Sequence, residues 1–181
     1  MQVSLVFPPS WMPSQPFLSL PSLQGFLKNK GVENVSIRDL NIETMDALLS
    51  AEKVRQTHAI IDERLNEGTG PIRSEENPEE VHSRLSWARE VIERENMVQN
   101  VEWAKSTLKS QGFYEIDDYV ECWKIIDRWL QAFGMLYYPS EISIADNSMR
   151  YSVYSSEDVL KAVYNKQENP YHDLFNEHII D

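Results

Sequence analysis

The spacing of hydrophobic and polar positions changes character along the chain, and each change marks an element. Val3-Ser4-Leu5-Val6-Phe7 is a short apolar run closed by Pro8-Pro9, the pattern of a buried strand that ends in a loop. The following stretch, Ser10-Trp11-Met12-Pro13-Ser14-Gln15-Pro16, holds too much proline for a helix or an inner strand. From Leu18 the period becomes helical. Leu20, Leu23, Phe26 and Leu27 share a face, and Gly31 after Lys28 and Lys30 predicts the stop. Val35-Ser36-Ile37-Arg38 then predicts a second strand that runs out into Asp39-Leu40-Asn41. A crossover of this length suits two parallel strands in right-handed connection.

Beyond Asn41 the pattern turns helical and stays so to Tyr138. Asn41 or Thr44 is placed to cap a helix, and Met45, Leu48, Leu49, Val54, Ile60, Ile61 and Leu65 continue one apolar stripe as far as Gly68. Glu67 to Pro78, with two glycines and two prolines among charges, predicts a loop. Pro78-Glu79-Glu80 has the composition of a first helical turn, and Val81, Leu85, Trp87, Ala88, Val91 and Ile92 supply its apolar side. A helix from Met97 to Leu108 ends before Gln111-Gly112. Another opens at Ile116-Asp117-Asp118 and carries Tyr119, Cys122, Trp123, Ile126, Trp129, Leu130 and Phe133 at helical spacing before Gly134.

After Tyr138-Pro139 the signals loosen. Glu141 to Ala145 alternates weakly, and Met149 to Tyr154 reads as extended. Ser155-Ser156-Glu157-Asp158 starts a helix with Val159, Leu160 and Val163, and Asn169-Pro170 launches a last one over Tyr171 to Ile180. The fold class that results is α/β and helix-rich: a partial Rossmann-like domain of two parallel strands with a crossover helix, plus a multi-helix insertion. Three regions follow: residues 1–41 as the first strand-helix-strand unit, 42–138 as the helical insertion, and 139–181 as a connecting segment that leads toward a missing third strand. Parallel sheets are normally buried on both faces and hold several strands. The chain is therefore expected to be the front of a larger protein, or a module that completes its sheet with another chain. The competing architecture is a small helical domain with a hairpin-like N-terminal appendage.

Composition narrows the partners. A net charge of −12 over 181 residues argues against nucleic acid and against an anionic membrane surface. An apolar fraction of 41% with five tryptophans argues against disorder. One cysteine, Cys122, excludes an internal disulfide framework and reads as a buried small hydrophobe beside Trp123, Ile126 and Trp129. Neither a basic leader nor a bilayer-spanning apolar run is present in the sequence, so a cytoplasmic protein is expected.

Candidate chemistry follows from the topology. In an open parallel sheet, ligands sit beyond the carboxyl ends of the strands. This places Pro8, Pro9, Ser10 and Trp11 after the first strand, and Asp39 with Asn41 after the second, on a binding rim. The same residues also suit a capping loop, with Trp11 packed on the next helix, and a turn or helix cap at Asp39. Ser19 and Ser22 stand near the start of the crossover helix, where free backbone N–H groups attract an anion, or simply cap it. A dinucleotide fingerprint is absent, since proline, serine and tryptophan occupy the loop where G-x-G-x-x-G is required. No catalytic residue and no metal ligand is assigned. His172 and His178 are six apart, which puts their rings on different helical faces even with Asp173 and Glu177 nearby. Asp117-Asp118 and Glu75-Glu76 read as helix-start and solvated-loop charge. The aromatics from Trp103 to Tyr138 read mostly as core, with Tyr137-Tyr138 beside Pro139 as the pair placed to face a substrate or a further domain of a larger protein.

Taken together, Val3-Ser4-Leu5-Val6-Phe7-Pro8-Pro9, Leu18 to Leu23, Phe26-Leu27, Gly31 and Val35 to Asn41 resemble the opening of cobalamin-binding radical SAM proteins. In that family a Rossmann-like cobalamin domain precedes a radical S-adenosylmethionine barrel. Met149 to Asp158 and Asn169-Pro170-Tyr171 resemble a helical insertion found in one branch. The resemblance implies a parent enzyme of Fe-S oxidoreductase or methyltransferase type with cobalamin, a 4Fe-4S cluster and S-adenosylmethionine. It also implies that the candidate cofactor-binding residues, Pro8, Pro9, Ser10, Trp11, Ser19 and Asp39, help to build the cobalamin domain. The family's Cys-x-x-x-Cys-x-x-Cys run and the Asp-x-His-x-x-Gly loop of many cobalamin proteins are both missing. This chain alone is therefore expected to carry no cofactor and to perform no catalysis. Its expected partners are the remainder of the parent, with the radical SAM barrel, and a second copy at the open sheet edge. The alternative is a non-enzymatic helical interaction module that completes its sheet with a partner.

Overall fold

The computed structural model describes residues 2–7, 18–66, 77–144, 147–148, 151–152 and 154–164. β1 (Gln2–Phe7) and β2 (Asn34–Asp39) lie side by side and parallel, in register from Gln2 opposite Asn34 to Phe7 opposite Asp39. The hairpin-like appendage is thereby excluded. Among the described residues no further strand flanks either one. α1 (Ser19–Asn29) is the crossover helix. Its end is a glycine-dependent cap: Gly31 has φ of +86°, its N–H donates to Lys28 O, and the Val32 N–H donates to Leu27 O, both at 3.0 Å. α1 is tied to the sheet by the Gln24 amide, which donates to Val35 O at 2.9 Å.

The expectation of a buried first strand is corrected. Along β1, exposed Gln2, Ser4 and Val6 alternate with half-buried Val3, Leu5 and Phe7, and in β2 only Val35 is buried. Alternation means that one face alone is covered. On the uncovered face Ser36 Oγ donates to Ser4 Oγ at 3.0 Å, a polar pairing that an enclosed parallel sheet rarely carries.

α2 (Leu40–Leu48) and α3 (Ala51–Asn66) replace the single helix expected from the apolar stripe. The break has a local cause in Ser50. Its hydroxyl accepts from Lys53 N–H at 3.2 Å and donates to Ala47 O at 2.8 Å, so it caps α3 while closing α2. The start of α2 takes the helix-cap alternative at Asp39 and not the caps expected at Asn41 or Thr44. Asp39 is the cap, and Asn41 and Thr44 are buried inside the helix.

α4 (Pro78–Arg94) begins as expected, with Asn77 accepting from Glu79 N–H at 3.0 Å and Pro78 in the first turn. A tight link through Asn96, whose φ is +45°, leads into α5 (Met97–Leu108). A 3-10 turn over Gln111–Tyr114 then leads to α6 (Ile116–Gly134). Helices α3 to α6 enclose the main core. Val54, Ile61, Ala88, Met97, Val101, Ala104, Cys122, Trp129, Leu130 and Ala132 are all fully buried there. Leu20, Val35 and Leu40 are buried outside that core, against the sheet.

A short antiparallel pair, β3 (Glu141–Ile142) with β4 (Asn147–Ser148), follows α6 and precedes α7 (Ser156–Tyr164). The extended run expected over Met149 to Tyr154 is not seen in its described members, since Tyr151 and Tyr154 lie in a bend and a turn. The helix expected over Tyr171 to Ile180 lies outside the described residues. Among the described residues no helix is long and apolar enough to cross a membrane.

Candidate functional site

The rim at the carboxyl ends of the strands is built by Phe7 and Asp39, which the parallel register sets opposite one another. Asp39 is committed to the backbone. Its Oδ1 accepts from the N–H groups of Asn41 and Ile42 at 3.1 and 3.3 Å, and a carboxylate at a helix N-terminus is favoured there by the dipole. One residue earlier, Arg38 reaches across to Glu43 of α2, its Nε lying 3.2 Å from Oε2. Strand end, cap and ion pair together fix α2 against the sheet.

Of the other residues expected at this rim, Pro8, Pro9, Ser10 and Trp11 lie outside the described residues. Ser19 is the first residue of α1 and half-buried, and the cap position before it, Leu18, offers no side-chain acceptor. The Ser22 hydroxyl donates back to Leu18 O at 2.7 Å, a bond within its own helix. Asn41 is buried in α2. Replacing Asp39 by alanine is expected to cost about 1 kcal/mol through the lost cap, measured by urea unfolding. Replacement by asparagine, which can still accept, is expected to recover most of it. Equal losses for the two variants would assign the carboxylate's charge, rather than its cap, the larger role.

The cofactors implied by the resemblance are tested by these residues. Three thiolates are required for a radical SAM cluster, whereas the one thiol here, Cys122, is buried in the bundle, and that burial pushes its pKa up. The cluster does not fit this chain. Nor do the described rim residues form a cobalamin pocket by themselves, since Asp39 is spent on a cap and Leu40 and Asn41 are buried. Among the described residues no group of histidine, cysteine and carboxylate side chains is arranged to hold a metal. His58 shows why: Asp62 sits 3.3 Å from its Nδ1 and Glu93 3.0 Å from its Nε2. The contact to Glu93 joins α3 to α4 while that to Asp62 stays within α3, and acids on opposite ring nitrogens cannot converge on one ion with the imidazole.

Two cavities in the helical part were not foreseen from the sequence. One, of about 310 Å³, is lined by Gln131, Gly134, Met135, Tyr138, Ser140 and Ile142, among others. Tyr138 thus borders a cavity, and its ring lies 3.9 Å beneath the Arg84 guanidinium, a cation-π contact. The other, of about 300 Å³, is an apolar groove. Met45, Leu49, Leu108, Phe113, Tyr119, Trp123, Ile126 and Ile144 line it. Its aromatics brace one another: Phe113 and Tyr119 meet edge to face with centroids 5.5 Å apart, and Tyr119 and Trp123 are tilted at 60° with centroids 5.9 Å apart. The expectation that these aromatics are core holds for Trp129 and Phe133, but Phe113 and Tyr114 are exposed. The signal that marks them is their place in a four-residue 3-10 turn, where helical spacing does not apply.

Charged residues adjoin Met45 and Leu108 in the sequence. Lys105 and Lys109 both bind Asp46, through Nζ to Oδ2 at 3.0 Å and Nζ to Oδ1 at 2.5 Å. The hydrogen bond from Lys109 is the main reason that the Asp46 carboxyl is held below its ordinary value.

Comparison with protein-family models, with curated proteins and with solved structures found no match to the chain.

Proposed function

We propose that the chain is the opening unit of a cobalamin-binding domain in a radical SAM enzyme, with its helical insertion standing beside the cofactor rim. The observation that supports this reading most is the pair of adjacent parallel strands joined through α1, unflanked among the described residues and covered on one face. That is the start of a layered α/β sheet and not a stable sheet in itself. The cluster and the S-adenosylmethionine chemistry belong to other parts of the parent, and the cofactors carry the hard chemistry there. This chain's share is to set the first two strands, their rim and the wall of helices next to it.

The coding sequence downstream of the Asp181 codon tests the reading. A third apolar strand followed by Cys-x-x-x-Cys-x-x-Cys is the expected result. A stop codon there overturns it in favour of a non-enzymatic interaction module. With the chain alone, hydroxocobalamin is expected to give no stoichiometric red complex after desalting, because the described rim offers no pocket.

A further inference from the structure

The two strands do not offer equal edges. In a parallel pair the N–H and C=O of one residue point to the same side, and the side alternates from one residue to the next. Val35 has both of its groups engaged away from β1. Its N–H donates to Glu33 O at 3.2 Å, and its carbonyl accepts from the Gln24 amide of α1 at 2.9 Å, in a part-buried bond. Ile37 is the next residue to turn to that side, and Asp39 after it already caps α2. The outer edge of β2 is therefore closed in its first half and runs into a helix in its second.

β1 is the opposite case. The register sets Val3 opposite Val35, and in each such couple one residue bonds across the pair while the other turns outward. Val3 and Leu5 thus bond to β2, and Gln2, Ser4 and Val6 turn their backbone groups to the far side. Among the described residues nothing pairs with them there. Nothing crowds the approach either, since all three are exposed. A row of N–H and C=O groups repeating at every second residue is matched by one kind of partner, another extended strand.

We propose that the strand which completes this sheet pairs along β1, beside Gln2 to Val6, and that β2 stays an edge behind Gln24. The proposal rests on the reading of the chain as the opening of a larger sheet, and the strand comes from the remainder of that parent. The sheet order is then β2, β1, added strand. A strand arriving at β2 instead must first displace Gln24 from the Val35 carbonyl and Glu33 O from the Val35 N–H, whereas at β1 it displaces only water. Breaking an internal bond leaves a group that has to be satisfied again, and this difference decides the side.

Amide hydrogen exchange, read by NMR at Ser4, Val6 and Ile37, is the test. It is applied to the 181-residue chain and to the same chain continued along its coding sequence. In the shorter protein all three amides are expected to exchange rapidly at every protein concentration. In the longer one Ser4 and Val6 are expected to slow by about 100-fold or more, and Ile37 to stay as it was. Slowing at Ile37 alone, or equal slowing at all three, places a strand on β2 and overturns the proposal while the parent reading stands. Slowing of Ser4 and Val6 in the shorter chain as its concentration rises overturns it as well, since a second copy is then the partner. No slowing in either strand, or a coding sequence that stops at Asp181, removes the parent reading and the proposal with it.

Discussion

Replacing Trp129 by alanine is expected to destabilise the helical bundle by about 3–5 kcal/mol, the range for deleting a fully buried large aromatic. Typical domains have only about 5–15 kcal/mol in total, so a large fall in the urea midpoint should follow. Two contributions add here. The ring is completely enclosed and packs 5.8 Å, centroid to centroid, from Phe133. Its Nε1–H also donates to the carbonyl of Leu48 at 3.0 Å, across 81 residues of chain, and leaves that buried acceptor without the bond when removed. Trp129→Phe separates the two, keeping most of the apolar volume and losing the donor. Its expected cost is about 1–3 kcal/mol. A loss below about 1 kcal/mol for the alanine variant would mean that the indole does not hold this core together.

Amide hydrogen exchange should divide the molecule. β1 has no buried residue, and β2 has only Val35. The N-terminal unit rests on Leu20, Val35 and Leu40, while α5 and α6 surround Val101, Ala104, Cys122, Trp129 and Leu130, all at zero exposure. Local opening free energies run from near zero at poorly packed elements to the global value in the core. Strand amides are therefore expected to exchange about 100-fold faster, or more, than those in the middle of α5 and α6, a gap of about 2.7 kcal/mol. Comparable protection would show that the strands belong to a closed core, and the incomplete sheet on which the functional proposal stands would fall with it.

Elements whose ends carry their own chemistry were readable from the amino-acid order. Gly31 stops α1, Asn77-Pro78 starts α4, and Ser155 with Asp158 starts α7, because each uses atoms within a few residues of the boundary. The parallel pairing was readable too, from the length of the crossover. What escaped notice depends on choices between neighbouring candidates. Asp39, Asn41 and Thr44 can all cap a helix, and the extended backbone of Asp39 with its bonds from Asn41 and Ile42 N–H decides for the first. Leu48 and Leu49 continue an apolar stripe whether or not Ser50 turns its hydroxyl into the backbone. The burial of β1 was misjudged because a run of five residues does not reveal how many layers will cover it.

At the candidate site the sequence indicates a place better than a chemistry. Asp39 was readable as rim or cap, and its hydrogen bonds assign it to the cap. Phe113 and Tyr114 could not be told from core aromatics by spacing, since their exposure comes from the 3-10 turn in which they sit.

The bond from Trp129 to Leu48 has one more effect. α2 starts at the strand rim with Asp39 and ends at Leu48, nine residues later, a rise of about 13 Å at the usual 1.5 Å per residue. With one end capped by the sheet and the other pinned by the indole, α2 is a strut of set length between them. Whatever comes to lie on the rim meets the bundle as a bulkhead at a fixed stand-off, and its room on that side is decided before it arrives.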